Sequence, residues 1–277
     1  MKKLLALLFS AVLLSTSGYA AKSTAEEPKG EVSTYLVGAY MSVADAEAKL
    51  KAGGFEVLAT YESVKDGHTI IFTCSSLKKQ AALPNRANIA VMKLFVDDET
   101  KSISLTNPLY FGKAYMQQDY NHDVFLALSA KLEALFPDLT PSAQMIQFSK
   151  LASYHFALGM PFYEDTELLG DGANEELLAK LKEYKKGKDF IYEVKISDDT
   201  TLVGYGLSAG TKRFVTKIGR QNAGLLPWPI IVSGGEAATL RTEYYITLNY
   251  PLLDIAQFRE IAPSAREVIK ELRKPLK

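Results

Sequence analysis

Apolar and polar positions along this chain fall into blocks whose period changes, and the blocks predict the elements. Residues 34–41 read as a strand. Ser42 then caps a helix that carries Val43, Ala46 and Leu50, and Gly53-Gly54 ends it. Phe55, Val57, Ala59 and Tyr61 alternate as one face of a strand. Lys65-Asp66-Gly67 makes a turn into a β-rich run over 68–74. Ser75 or Ser76 opens a short helix that Pro84 stops. Residues 89–96 and 102–106 flank the turn Asp97-Asp98-Glu99-Thr100-Lys101 as a hairpin. Val124, Phe125, Leu128, Leu132 and Leu135 recur at helical spacing before Pro137. The order is strand, helix, four strands, helix, with one short helix inserted.

The second half repeats that order. Residues 154–162 read as a strand, and Asn174 caps a helix through Leu177, Leu178 and Leu181. Strands follow over 190–196 and 200–206, and Ser208 opens a short helix. Strands over 228–232 and 240–249 surround Ser233-Gly234-Gly235-Glu236, and a final helix starts at Pro263 or Ser264. Three fragments match in order: Tyr35-Leu36-Val37-Gly38 with Phe156-Ala157-Leu158-Gly159, Ala48-Lys49-Leu50-Lys51 with Ala179-Lys180-Leu181-Lys182, and Ile103-Ser104-Leu105 with Ile246-Thr247-Leu248. Together they point to an internal duplication. The expected organisation is a first α+β repeat over 33–137, a connecting segment over 138–153 containing a helix within 140–151, and a second repeat over 154–277.

The first residues change the picture. Lys2 and Lys3 precede an apolar run over 4–14, and Gly18 and Ala20 stand at the small-residue positions of a cleavage site. Residues 1–20 read as a secretory signal peptide, followed by a flexible lead-in over 21–32. The run is too short to span a bilayer, and no later segment reads as a transmembrane span. The expected location is periplasmic or secreted. The 277 residues hold 32 basic and 32 acidic side chains, and losing the leader takes two lysines with it. Nucleic-acid binding, which needs clustered Lys and Arg, is excluded on that balance. A single cysteine, Cys74, excludes an internal disulfide, so stability must come from a packed core.

Here the chain resembles the domain-of-unknown-function 302 family. The residues that carry the resemblance are Ile70-Ile71-Phe72-Thr73-Cys74, Leu83-Pro84, the run 89–96 and Asn107-Pro108 in the first repeat. In the second they are Leu225-Leu226-Pro227, Ile230-Ile231-Val232 and Pro251. The resemblance implies an antiparallel sheet with helices on one face, similar to the TATA-binding-protein-like fold, in each of two tandem copies. It implies no established activity. Ser75-Ser76 stand where the family has Asn-Pro, and Asn85 and Trp228 where it often has a second Cys, which argues against paired-thiol chemistry.

Candidate chemistry is sparse. Cys74 sits at a helix start, where a thiolate is favoured, although free cysteine is commonly a buried core residue. His68, His122 and His155 are isolated, with His68 and His122 expected on exposed element starts, and no zinc or haem spacing is present. Asp97-Asp98-Glu99 reads as a solvated hairpin tip. Glu164-Asp165 and Glu167 lack calcium-loop spacing. Lys78-Lys79 and Lys212-Arg213 occupy the short helices, where an anion site competes with an ordinary solvated face. Arg86, Asn107, Tyr110, Trp228 and Tyr250, with Cys74, flank the strand ends where the repeats differ most. With no catalytic constellation, metal site or cofactor motif, the expectation is a non-catalytic exported protein that binds a small apolar or aromatic molecule, or an envelope protein. The competing reading is a thiol-dependent redox or metal-binding protein using Cys74.

Overall fold

A computed structural model describes residues 25–277, and the expected leader lies outside them. The first half contains β1 (Glu31–Ser33), β2 (Tyr35–Ala39), α1 (Val43–Ala52), β3 (Glu56–Val64), β4 (Gly67–Thr73) and α2 (Ser75–Ala81). A 3₁₀ turn (Ala87–Ala90), β5 (Met92–Asp97), β6 (Ser102–Thr106), α3 (Pro108–Met116) and α4 (His122–Leu135) complete it. β7 (Thr140–Pro141), β8 (Met145–Gln147) and a 3₁₀ turn (Phe148–Ser153) connect the halves. The second half contains β9 (Thr166–Asp171), α5 (Asn174–Glu183), β10 (Phe190–Lys195), β11 (Thr200–Tyr205), α6 (Ala209–Lys212) and α7 (Phe214–Ile218). It ends with a 3₁₀ turn (Arg220–Leu225), β12 (Trp228–Ser233), β13 (Glu236–Leu240), α8 (Thr242–Asn249), α9 (Ile255–Leu272) and a short 3₁₀ turn (Lys274–Leu276).

The fold is α+β, and its paired strands are antiparallel. One sheet runs β3-β4-β5-β6-β2-β7 and the other β10-β11-β12-β13-β9. In both, the strand that precedes the first helix pairs with the last strand of the meander. β1 and β8 form a separate ribbon, so the segment expected as a flexible lead-in is paired from Glu31 onward.

Each 3₁₀ turn that precedes a central strand lies against the sheet of the other half. Arg220–Leu225 packs on β3, β4, β5 and β6, and Ala87–Ala90 packs on β11 and β12. Between the halves, α8 buries seven of its eight residues, so it has no polar face to give to water. The Tyr110 hydroxyl donates to Leu248 O (2.8 Å), Tyr154 to Thr247 O (2.9 Å) and Tyr35 to Asn249 Oδ1 (2.6 Å). The buried apolar side chains of both halves form one continuous core.

Four expectations change. Residues 154–162 alternate perfectly yet form no strand: Met160 N–H donates to Ala157 O, Gly159 turns at φ +79°, and Leu158 is wholly exposed. Alternation names a face but not a pairing partner, and β13 pairs with β9 instead. Residues 240–249 are the end of β13 and then α8; an apolar run buried on every side carries no period that separates helix from strand. The expected connecting helix is absent, because the segment pairs as β7 and β8 and Pro141 opposes helix continuation. The last helix starts at Ile255, where Asp254 and Gln257 form a capping box, and it contains Pro263 in its interior.

These shifts also change which repeat fragments coincide. Ala48-Lys49-Leu50-Lys51 and Ala179-Lys180-Leu181-Lys182 do lie in α1 and α5. The other two pairs fall on unlike elements, strand against loop and strand against helix. Leu83-Pro84 precedes its 3₁₀ turn, whereas Leu226-Pro227 follows its own, so those two steps are not equivalent either.

Candidate functional site: a groove between the two halves

The meeting of each sheet with the opposite 3₁₀ turn creates two comparable places. In the first sheet, Gly67 pairs with Asp97, and in the second, Thr200 pairs with Ser233, so β5 and β12 align from these ends. Phe95 then corresponds to Ile231, and Asp97 to Ser233.

The first place is filled. A Cβ on Gly67 would come within 2.7 Å of the Phe95 ring, and the Gly224 backbone lies over the base of that side chain. Glycine at position 67 is therefore what lets the ring lie flat there. Arg220 closes the end. Its Nε and Nη2 donate to the two carboxylate oxygens of Asp97 at 3.0 and 2.7 Å, and Nη1 to Glu99 at 2.6 Å. Asp97 is 1% exposed, which corrects the expectation of a solvated hairpin tip. Burial raises its carboxyl pKa, but hydrogen bonds from Arg220, Thr100 and the Glu99 and Thr100 amides outweigh that and hold it below the usual range.

The second place is open. Ile231 and Ser233 are smaller than Phe95 and Asp97, and the 3₁₀ turn begins with Ala87 rather than Arg220. The result is a groove of about 450 Å³, within the range of small-molecule sites. Its apolar wall includes Leu83, Pro84, Ile196, Ile231, Ala238 and Leu240.

Polar groups enter the groove from Asn85, Asn88 and Tyr163. Tyr163 donates its one hydroxyl proton to Asn85 O at 2.8 Å, so Asn88 must donate its amide N–H to the Tyr163 oxygen, at 3.4 Å. That leaves the Asn88 Oδ1 acceptor without a partner, on a side chain only 7% exposed. Burial pushes the Tyr163 hydroxyl up to about 12, with Asn88 and Arg86 pulling against it, so it is protonated at neutral pH. Asn85 holds φ +59°, a left-handed conformation that asparagine tolerates better than most residues.

Asn88 also lines a second, much smaller cavity of about 30 Å³, beside Lys93. The Lys93 ammonium donates to Leu225 O (2.6 Å), Pro227 O (2.9 Å) and the Tyr245 hydroxyl (3.1 Å). Burial lowers its pKa to about 7.

The residues singled out from sequence are not gathered in one place. Asn107 caps α3, accepting from Leu109 N–H while donating to Ser33 O. Tyr110 and Tyr250 are fully buried and donate to Leu248 O and Gly219 O. Trp228 is fully buried and donates to Thr239 Oγ1 at 3.0 Å. Each of these polar atoms is satisfied inside the protein. Cys74 is half-buried at the start of α2, packed beside the core, and does not line the groove. Arg86 alone adjoins it: paired with Asp119, its guanidinium lies 5.6 Å from the Tyr163 ring.

Other sequence features also have structural roles. Lys78 is paired with Glu56, and Lys212 donates to Glu62 O. His122, expected at an exposed start, is buried, with Nδ1 3.1 Å from the Tyr120 hydroxyl. Among the described residues no group of three or more His, Cys, Asp or Glu is placed to hold a metal.

Sequence reasoning missed Asn88, Tyr163 and Lys93. The first two are far apart in the chain and meet only across the halves. Lys93 did leave a signal, a charge in the middle of the apolar run Met92-Lys93-Leu94-Phe95-Val96. Compared with known proteins, the chain matches no family model, no curated protein and no solved structure.

Proposed function

We propose that this is an exported, non-catalytic binding protein that takes a small molecule in the groove between its halves. The observation that carries the reading is the difference between two comparable places: one filled by Phe95 and the Arg220–Asp97 fork, the other left open at about 450 Å³. A cavity with an apolar wall and a few converging polar groups is the usual form of a small-molecule site. Export is supported by the leader pattern at residues 1–20.

The test is a thermal-shift screen of the purified protein against a broad metabolite set, run beside Ile231→Trp. Filling the groove with indole should abolish the shift caused by any true ligand while leaving the protein folded. If every compound that shifts the wild type shifts the variant equally, or if none shifts the wild type, the groove is not the binding site.

A further inference from the structure

The charges that line the groove are acidic, and the Arg86 guanidinium that adjoins it beside Tyr163 is paired with Asp119. Glu164 and Glu236 line the groove, and no Lys, Arg or His does. Glu236 stands directly across the β9–β13 ladder from Asp171, a like-charge pair that by itself destabilises a sheet. Asp199 adjoins the same end, its carboxylate accepting from Gly234 N–H at 3.0 Å and from the Ser233 hydroxyl. Among the described residues, none of these four carboxylates lies within ion-pair distance of a basic side chain. The groove thus combines an apolar wall with unpaired negative charge at its rim, while the unpartnered Asn88 Oδ1 lies behind that wall, out of reach of solvent.

We infer that the groove takes an organic ammonium: a compact apolar body carrying a primary or secondary amine. The apolar body would lie against Ile231, Ala238 and Leu240. The N–H groups would face Glu164 or Glu236. A bare metal cation fits less well, because among the described residues no three ligating His, Cys, Asp or Glu side chains converge and an apolar wall gives nothing to a hydrated ion. This inference rests on the groove being a binding site, and it adds the charge and class of the occupant.

The experiment is titration calorimetry with three probes that share one body and differ in charge: 2-phenylethylamine, 2-phenylethanol and 3-phenylpropanoate. The amine should bind roughly tenfold tighter than the alcohol, with the carboxylate weakest, and the advantage should shrink in 0.5 M salt. Glu164→Gln combined with Glu236→Gln should bring the amine down to the alcohol's affinity and leave the alcohol unchanged. Both residues are exposed, so the variant should unfold at the wild-type midpoint or above it. Equal or tighter binding of the alcohol or the carboxylate overturns the inference, as does an amine preference that survives the double substitution. So does no binding by any of the three. If neutral or anionic compounds bind and lose binding in Ile231→Trp, the groove stands and only the charge assignment falls.

Discussion

Lys93 carries its charge into a site where, among the described residues, no carboxylate pairs with it. Three oxygens satisfy its three donors, but two are carbonyls and one a phenol, so the charge itself is poorly compensated. Its folded pKa of about 7 lies below the ordinary 10.5. Between those values the unfolded chain holds a proton that the folded chain lacks, so stability rises with pH. The window closes near pH 9.5, because buried tyrosines such as Tyr35 and Tyr110 have raised pKa values and favour unfolding above about 10. Urea unfolding at a series of pH values should show a gain on the order of 3 kcal/mol from pH 7 to 9.5. Lys93→Met should flatten that slope. An unchanged slope in the variant would place the charge effect elsewhere. Asn88 and Tyr163 make the complementary point: one phenolic proton fixes which way an amide faces and leaves its oxygen buried without a partner.

The elements show where a sequence speaks for itself. α1 was legible because its Ser42 cap, short length and apolar spacing agree; α5 was legible from the spacing of Leu177 and Leu181, but Asn174, expected as its cap, is its first residue and donates to Asp199 O instead. The meander strands 56–64, 67–73, 92–97 and 102–106 were likewise close to their expected bounds. α3 was missed although Asn107-Pro108 is a cap followed by proline at the first helical position. Its body, Leu-Tyr-Phe-Gly-Lys-Ala-Tyr-Met, is buried on most sides and shows no polar stripe. Asn107 both starts this helix and donates to Ser33 O, tying β1 to β6. Asn107→Ala should therefore cost about 2 kcal/mol in chemical denaturation, more than an isolated cap. A loss of only a few tenths would show that neither bond matters. β9 was misplaced for the opposite reason: the better alternating pattern, at 154–162, has no strand to pair with.

At the scale of the whole molecule, the groove was not legible at all, because it belongs to neither half. It forms where Asn85 and Asn88 meet Tyr163, Ile231 and Ala238, and those contacts depend on how two sheets cover one another. The reciprocal 3₁₀ turns and the buried α8 make the halves one cooperative unit. Calorimetry should show a single unfolding transition whose van't Hoff and calorimetric enthalpies agree. Two separable transitions would mean that each half keeps its own core. The same exchange of covers has a consequence in time. As the chain is made, the face bearing Lys93 and Phe95 is complete long before residues 220–225 that shield it. At ordinary synthesis rates that delay is on the order of ten seconds. During it an apolar sheet face lacks the cover that residues 220–225 give it, a state in which exposed apolar surface is prone to aggregate.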